Sequence, residues 1–120
     1  DGDLGERMHR ALTRALATHR KALLIGTDAP AITSATLRDA AQALDRHEAV
    51  FVPALDGGYA LVGLIRPLPA LFHGMPWSTP RVMAETRARA RQAGVEWVEL
   101  EPVADIDEPP DLVHLPEAWR

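Results

Sequence analysis

Three acidic turns carry the residues best suited to chemistry. The first is Lys21-Ala22-Leu23-Leu24-Ile25-Gly26-Thr27-Asp28-Ala29-Pro30, where a short apolar run ends in glycine, a carboxylate and proline. It reads as a buried strand that delivers Asp28 to its C-terminal tip. In open α/β sheets, ligands bind in the crevice at that end of the strands. A carboxylate there can hold a hard cation such as Mg²⁺ or Mn²⁺ against a phosphate. The other reading makes Thr27 or Asp28 a turn residue that satisfies local backbone N–H groups.

The second turn is Asp56-Gly57-Gly58-Tyr59. Two glycines permit a tight hairpin, and that alone accounts for them. A functional reading adds that Gly58 leaves room for a substrate. Asp56 then binds a sugar hydroxyl or acts as a base, and Tyr59 offers a ring and a hydroxyl. The third turn is Asp105-Ile106-Asp107-Glu108-Pro109. In extended geometry its two aspartates share a side while Ile106 points to the core. Asp107 either faces a metal or caps a following helix.

A fourth segment, Met75-Pro76-Trp77-Ser78-Thr79-Pro80, places a tryptophan just before a helix start. Trp77 covers either a sugar or base, or the core. The helix start favours anions. Histidines 9, 19, 47, 73 and 114 show no metal-ligand spacing and read as surface residues, except His73, which shares a loop with Trp77. Neither a phosphate-binding Gly-x-Gly-x-x-Gly motif nor a Gly-x-Ser-x-Gly nucleophile elbow occurs.

The elements that must position these residues follow from periodicity. Asp3 to about Arg20 reads as a helix, with Leu4, Met8, Ala11, Leu12, Ala15 and Leu16 on one side. Lys21 to Gly26 reads as a strand covered on both faces. Thr33 or Ser34 caps a helix whose stripe is Leu37, Ala40, Ala41 and Leu44. Ala49–Ala54 and Tyr59–Leu64 read as strands joined by the glycine turn, hence antiparallel neighbours. Pro67 to Phe72 forms a helical turn or two. Thr79-Pro80 starts a helix that stops at Gly94. Val95–Leu100 alternates like a half-exposed strand, and the acidic turn leads into a short final helix. The expected fold is three-layer α/β/α, with a mostly parallel sheet and one antiparallel strand.

Composition narrows the function. The chain has 120 residues, 47% of them hydrophobic, which suits one cored domain. A net charge of −4 argues against nucleic-acid binding, and arginines 81, 87, 89 and 91 read as the solvated side of a helix. The absence of cysteine removes disulfides and thiolate chemistry. No apolar run approaches ~18 residues, so no membrane span is expected. A cytoplasmic location is the default expectation.

In this order, Gly2-Asp3-Leu4-Gly5-Glu6-Arg7-Met8, Ile25-Gly26-Thr27-Asp28-Ala29-Pro30, Asp56-Gly57-Gly58-Tyr59-Ala60-Leu61-Val62-Gly63-Leu64, Trp77-Ser78-Thr79 and Asp105-Ile106-Asp107 resemble one bacterial family. It is the glycosyltransferase-A-like "radical SAM/selenodomain-associated transferase" family. The resemblance implies a nucleotide-diphospho-sugar transferase fold and transfer of a glycosyl group from a nucleotide-sugar to a small-molecule acceptor. It implies a divalent metal, Mn²⁺ or Mg²⁺, at Asp28 and Asp107. Asp56 becomes the catalytic residue, and Thr27, Gly57, Gly58, Tyr59, Trp77 and Ser78 line the substrate site. The ending Asp105-Ile106-Asp107-Glu108-Pro109-Pro110-Asp111-Leu112 also resembles the closing motif of guanylyltransferases that make the molybdenum cofactor. Nucleotidyl transfer is therefore the nearest alternative reaction, and a non-catalytic interaction module is the alternative of another class. Family members open on a strand and a Pro-Gly-x-x-Lys-Thr-Arg-like loop that is missing here. Residues 1–120 are thus expected to form a single domain matching the C-terminal half, without the nucleotide-binding half. An exposed sheet edge would then pair copies of the chain.

Overall fold

A computed structural model of the chain describes residues 4–25 and 32–103, and the backbone of 113–115. The element order is α1 (Leu4–Leu16), β1 (Ala22–Ile25), α2 (Ser34–Ala43), β2 (Ala49–Pro53), β3 (Tyr59–Leu64), a 3₁₀ turn (Pro69–Leu71), α3 (Val82–Gln92), β4 (Trp97–Glu99) and β5 (Val113–Leu115). The strands form one sheet in the order β4-β2-β3-β1-β5.

The sheet is mixed. β4 lies parallel to β2, while β3 is antiparallel to both β2 and β1, between which it sits. β1, β2 and β4 therefore share a direction, and the hairpin strand β3 runs against them, as the glycine turn requires. A second strand also runs against β1: β5, at residues 113–115, where the sequence suggested a short helix. Its Val-His-Leu sequence suits an extended chain. It also covers the backbone edge of β1, which would otherwise be left unpaired.

Helices cover both faces. Met8 and Leu12 of α1 and Val82, Met83 and Ala90 of α3 pack with Leu24, Phe51, Tyr59 and Val62 on one face. Leu37, Ala40 and the adjoining Leu44 pack with Leu23, Val50, Val52 and Leu61 on the other. Alternation along β1 and β2 sends neighbouring side chains to opposite cores, so these strands are apolar throughout. Fully burying one such leucine or phenylalanine contributes about 1.5–3 kcal/mol.

Two helices are shorter than the bounds read from the sequence. α1 ends at Leu16, and residues to His19 continue only as turns on the carbonyls of Thr13, Arg14 and Ala15. α3 begins at Val82, because Thr79 and Pro80 are used to turn the chain into it. Thr33 caps α2 as expected, its hydroxyl accepting from Thr36 N–H at 3.2 Å.

Candidate functional site

The described site candidates gather at the end of the sheet where β2 finishes and β3 begins. Residues 54–58 join β2 to β3 there. Asp56 Oδ1 accepts a hydrogen bond from Gly58 N–H at 3.0 Å, so its carboxylate shapes the turn while remaining exposed. Gly57 has φ of 101°, a conformation that side chains other than glycine rarely take.

A β-bulge decides where Tyr59 goes. Val52 pairs with Leu61 but Pro53 pairs with Tyr59, which leaves Ala60 as an extra residue. Tyr59 thereby turns to the same face as Val62, toward α1 and α3. Pro53 has no N–H to contribute at this point, so the interruption suits it. Tyr59 is only 4% exposed and its hydroxyl is buried without a partner. Burial holds this phenol well above its ordinary value of 10.0, so it stays protonated. As a substrate-binding candidate, Tyr59 lies beneath the surface in this conformation, its ring 5.2 Å from Phe51.

The tryptophan loop lies over it. The rings of Tyr59 and Trp77 meet edge to face, with centroids 6.4 Å apart at 76°. Trp77 packs on the α1/α3 core, while Ser78 is exposed. Thr79 Oγ1 donates to the Pro76 carbonyl at 2.7 Å and accepts from Arg81 N–H at 3.3 Å. The hairpin turn is also tied to the first turn of α3, which follows the tryptophan loop, since Met83 N–H donates to the Gly57 carbonyl at 2.8 Å. The structure thus brings together Asp56, Gly57, Gly58, Tyr59, Trp77 and Ser78.

Thr27, Asp28 and Asp107 lie outside the described residues. Their described neighbours are informative all the same. Ile25, which precedes one segment, pairs with Val113, which follows the other, and Ile25 also pairs with Leu61 of β3. Among the described residues, no three histidines, aspartates or glutamates are grouped to hold a metal ion.

Several residues took roles that the sequence did not indicate. Arg87 is not a free surface charge: its Nε and Nη2 donate to Glu99 at 2.7 and 2.8 Å and tie α3 to β4. That pairing holds Glu99 below the ordinary carboxylate range. Arg89 donates to the carbonyls of Ala70, His73 and Gly74 and to Glu85, fixing the loop that leads to Trp77. Arg91 lies 6.0 Å from the Trp97 ring centroid. Only the Glu85–Arg89 spacing, i to i+4, could have signalled one of these pairs. His9 is also drawn inward, its ring 6.2 Å from Phe72 and its Nδ1 buried without a partner.

The two-sided mixed sheet, with the 54–58 turn and the Trp77 loop meeting at one end, matches a nucleotide-diphospho-sugar transferase-like fold. It is similar to a crystal structure from Desulfovibrio desulfuricans G20 whose name reads "putative nucleotide-diphospho-sugar transferase". The two share 32% sequence identity and a TM-score of 0.82 over 89% of this chain and 48% of that one. The chain therefore spans about half the length of that structure. It belongs to the family described as "Uncharacterized protein conserved in bacteria (DUF2064)", whose pattern matches residues 1–79. No curated protein matches it. Among the described residues, no helix is long and apolar enough to cross a membrane.

Proposed function

We propose that the complete protein transfers a glycosyl group from a nucleotide-diphospho-sugar to a small hydroxylated acceptor. The observation that carries this reading is the meeting of the Asp56 turn with the Trp77 loop, at the end of the sheet where β2 finishes and β3 begins, in a chain of this fold. In the reaction, the bond from the anomeric carbon to the diphosphate oxygen breaks, and a bond to the acceptor oxygen forms. The acceptor's proton passes to Asp56, whose exposed carboxylate keeps its place through Gly58 N–H. Trp77 and Ser78 border the acceptor, and Gly57 and Gly58 allow it close to the backbone.

The diphosphate end belongs to Thr27, Asp28 and Asp107 in this reading. The departure of both chain segments from the paired residues Ile25 and Val113 supports it. Aspartate oxygens suit Mg²⁺ or Mn²⁺, and a bound divalent ion supplies charge neutralisation for the leaving diphosphate.

Calorimetry of the complete protein with UDP-glucose or GDP-mannose and Mn²⁺ tests the proposal. Binding that disappears in Asp28→Asn, with release of a nucleoside diphosphate on turnover, is the expected result. Unchanged binding in Asp28→Asn sinks the Asp28 assignment. Pyrophosphate release from a nucleoside triphosphate would select nucleotidyl transfer instead.

A further inference from the structure

The Trp77 indole sits in a slot formed by a glycine. A β-carbon on Gly5 of α1 would stand 2.9 Å from Trp77 Nε1 and would overlap the Phe72 carbonyl oxygen. The opposite neighbour is Tyr59. Both rings end in buried polar atoms without partners, Trp77 Nε1 and Tyr59 Oη. Buried polar groups are nearly always satisfied, so two orphans on touching rings call for an explanation.

The backbone next to the indole is unusual as well. Ser78 has φ of 64°, alone among the described non-glycine residues in being positive. Such strain tends to collect at binding sites and switches. The chain is fixed on either side of it. Met75 is buried in the core, and Arg89 holds the carbonyls of Ala70, His73 and Gly74. Beyond Ser78, Gly57 holds Met83. Between these anchors the Trp77 N–H donates to the Met75 carbonyl at 2.8 Å and Thr79 Oγ1 to the Pro76 carbonyl at 2.7 Å, which leaves the Trp77 side chain and the backbone at Ser78 to rearrange.

We propose that the Trp77 indole is a gate over Tyr59. It turns at Ser78, leaves the Gly5 slot, and presents its ring face, its Nε1–H and the Tyr59 hydroxyl to a hydroxyl-rich ring. This rests on the transferase reading for the identity of that ring as a sugar-like acceptor. Closed, the indole gains burial but two donors stay dry. Open, both donors meet water or ligand hydroxyls, which narrows the gap between the two states. A ligand that contacts only the open arrangement then draws the gate open by its differential affinity.

The test needs no ligand. Solvent exchange of the Trp77 indole N–H is measured by NMR in the complete protein, beside the backbone amide of Phe51 in β2. An open state populated at 0.1–10% slows indole exchange by roughly 10- to 1,000-fold relative to free indole. The Phe51 amide should exchange far more slowly. Tyr59→Phe removes a donor that is dry only when the gate is closed, so it should slow indole exchange by about five-fold or more. An indole that exchanges only together with Phe51, or whose exchange Tyr59→Phe leaves unchanged, overturns the gate. Calorimetric failure with nucleotide-sugars would instead overturn the transferase reading, with the exchange result intact.

Discussion

Gly57 lies so close to Pro80 that a β-carbon there would stand 2.5 Å from the Pro80 Cα. That approach seats the hairpin turn on the start of α3 and so sets the distance between Asp56 and the Trp77 loop. Gly57→Ala meets both this overlap and the strain of φ 101°. It should destabilise the fold by about 3 kcal/mol in urea titration. Gly58→Ala is the control, since its β-carbon would meet only Asp56 Oδ1 at 3.6 Å. Its effect should stay within about 1 kcal/mol.

Arg89 ought to be irreplaceable by lysine. Its planar fork reaches three carbonyls and Glu85 at once, at Ala70, His73, Gly74 and the carboxylate. An ammonium is a compact charge without that fork. Arg89→Met should cost about 2 kcal/mol, and Arg89→Lys should recover less than half of it. Hydrogen exchange at residues 70–77 should rise in both variants, well before exchange in β2 does. Equal exchange in the two segments would show that the clamp acts on the whole fold and not on this loop.

Acid should loosen the β4 edge first. Hydrogen bonding from Arg87 holds Glu99 below the ordinary glutamate value of 4.5, burial opposes this, and Trp97 Nε1–H adds to it. At the same edge, the Glu96 N–H lowers Glu48, with Arg66 assisting against desolvation. Both groups have depressed values in the folded state. Their contribution is complete above 4.5 and is lost as pH falls through the lower folded values. Stability should therefore fall with acidification below about pH 4.5, and Glu99→Gln should flatten that slope while lowering stability at pH 7. An unchanged slope in Glu99→Gln would remove the Arg87 pairing from the account.

Legibility in the sequence followed the range of the interaction. β1, β2 and β3 were readable because apolar runs and a glycine pair are local signals. The expected meeting of the Asp28, Asp56 and Asp107 turns involves residues outside the described ones, and the contact that is seen, Tyr59 on Trp77, has no local signal. The burial of Tyr59 was not readable, because it depends on one extra residue, Ala60, opposite Pro53. Arginines 87 and 89 looked like a solvated face for a similar reason: Glu99 and the carbonyls near residue 73 are distant in sequence. Lys21 is another such case. It opens an apolar strand, yet its buried ammonium donates to the Ala41 carbonyl and pairs with Asp45, each at 2.7 Å, at the negative end of α2.

Asp56 presents the sharpest choice, between a turn residue and a base, and one pair of variants separates the two. Oδ1 serves the turn by accepting from Gly58 N–H at 3.0 Å. Asparagine keeps that acceptor but has no basic oxygen, whereas alanine loses both. If Asp56 only shapes the hairpin, Asp56→Asn should keep both melting temperature and turnover, and Asp56→Ala should lower both. If Asp56 takes the acceptor's proton, Asp56→Asn should melt like the parent yet lose roughly 10²–10⁴ in kcat, with KM for the donor unchanged. The proposed mechanism requires the second outcome. Near-normal kcat in Asp56→Asn, measured on the complete protein with its nucleotide-sugar, would return this aspartate to the turn and leave the base to be sought among the residues around Asp28.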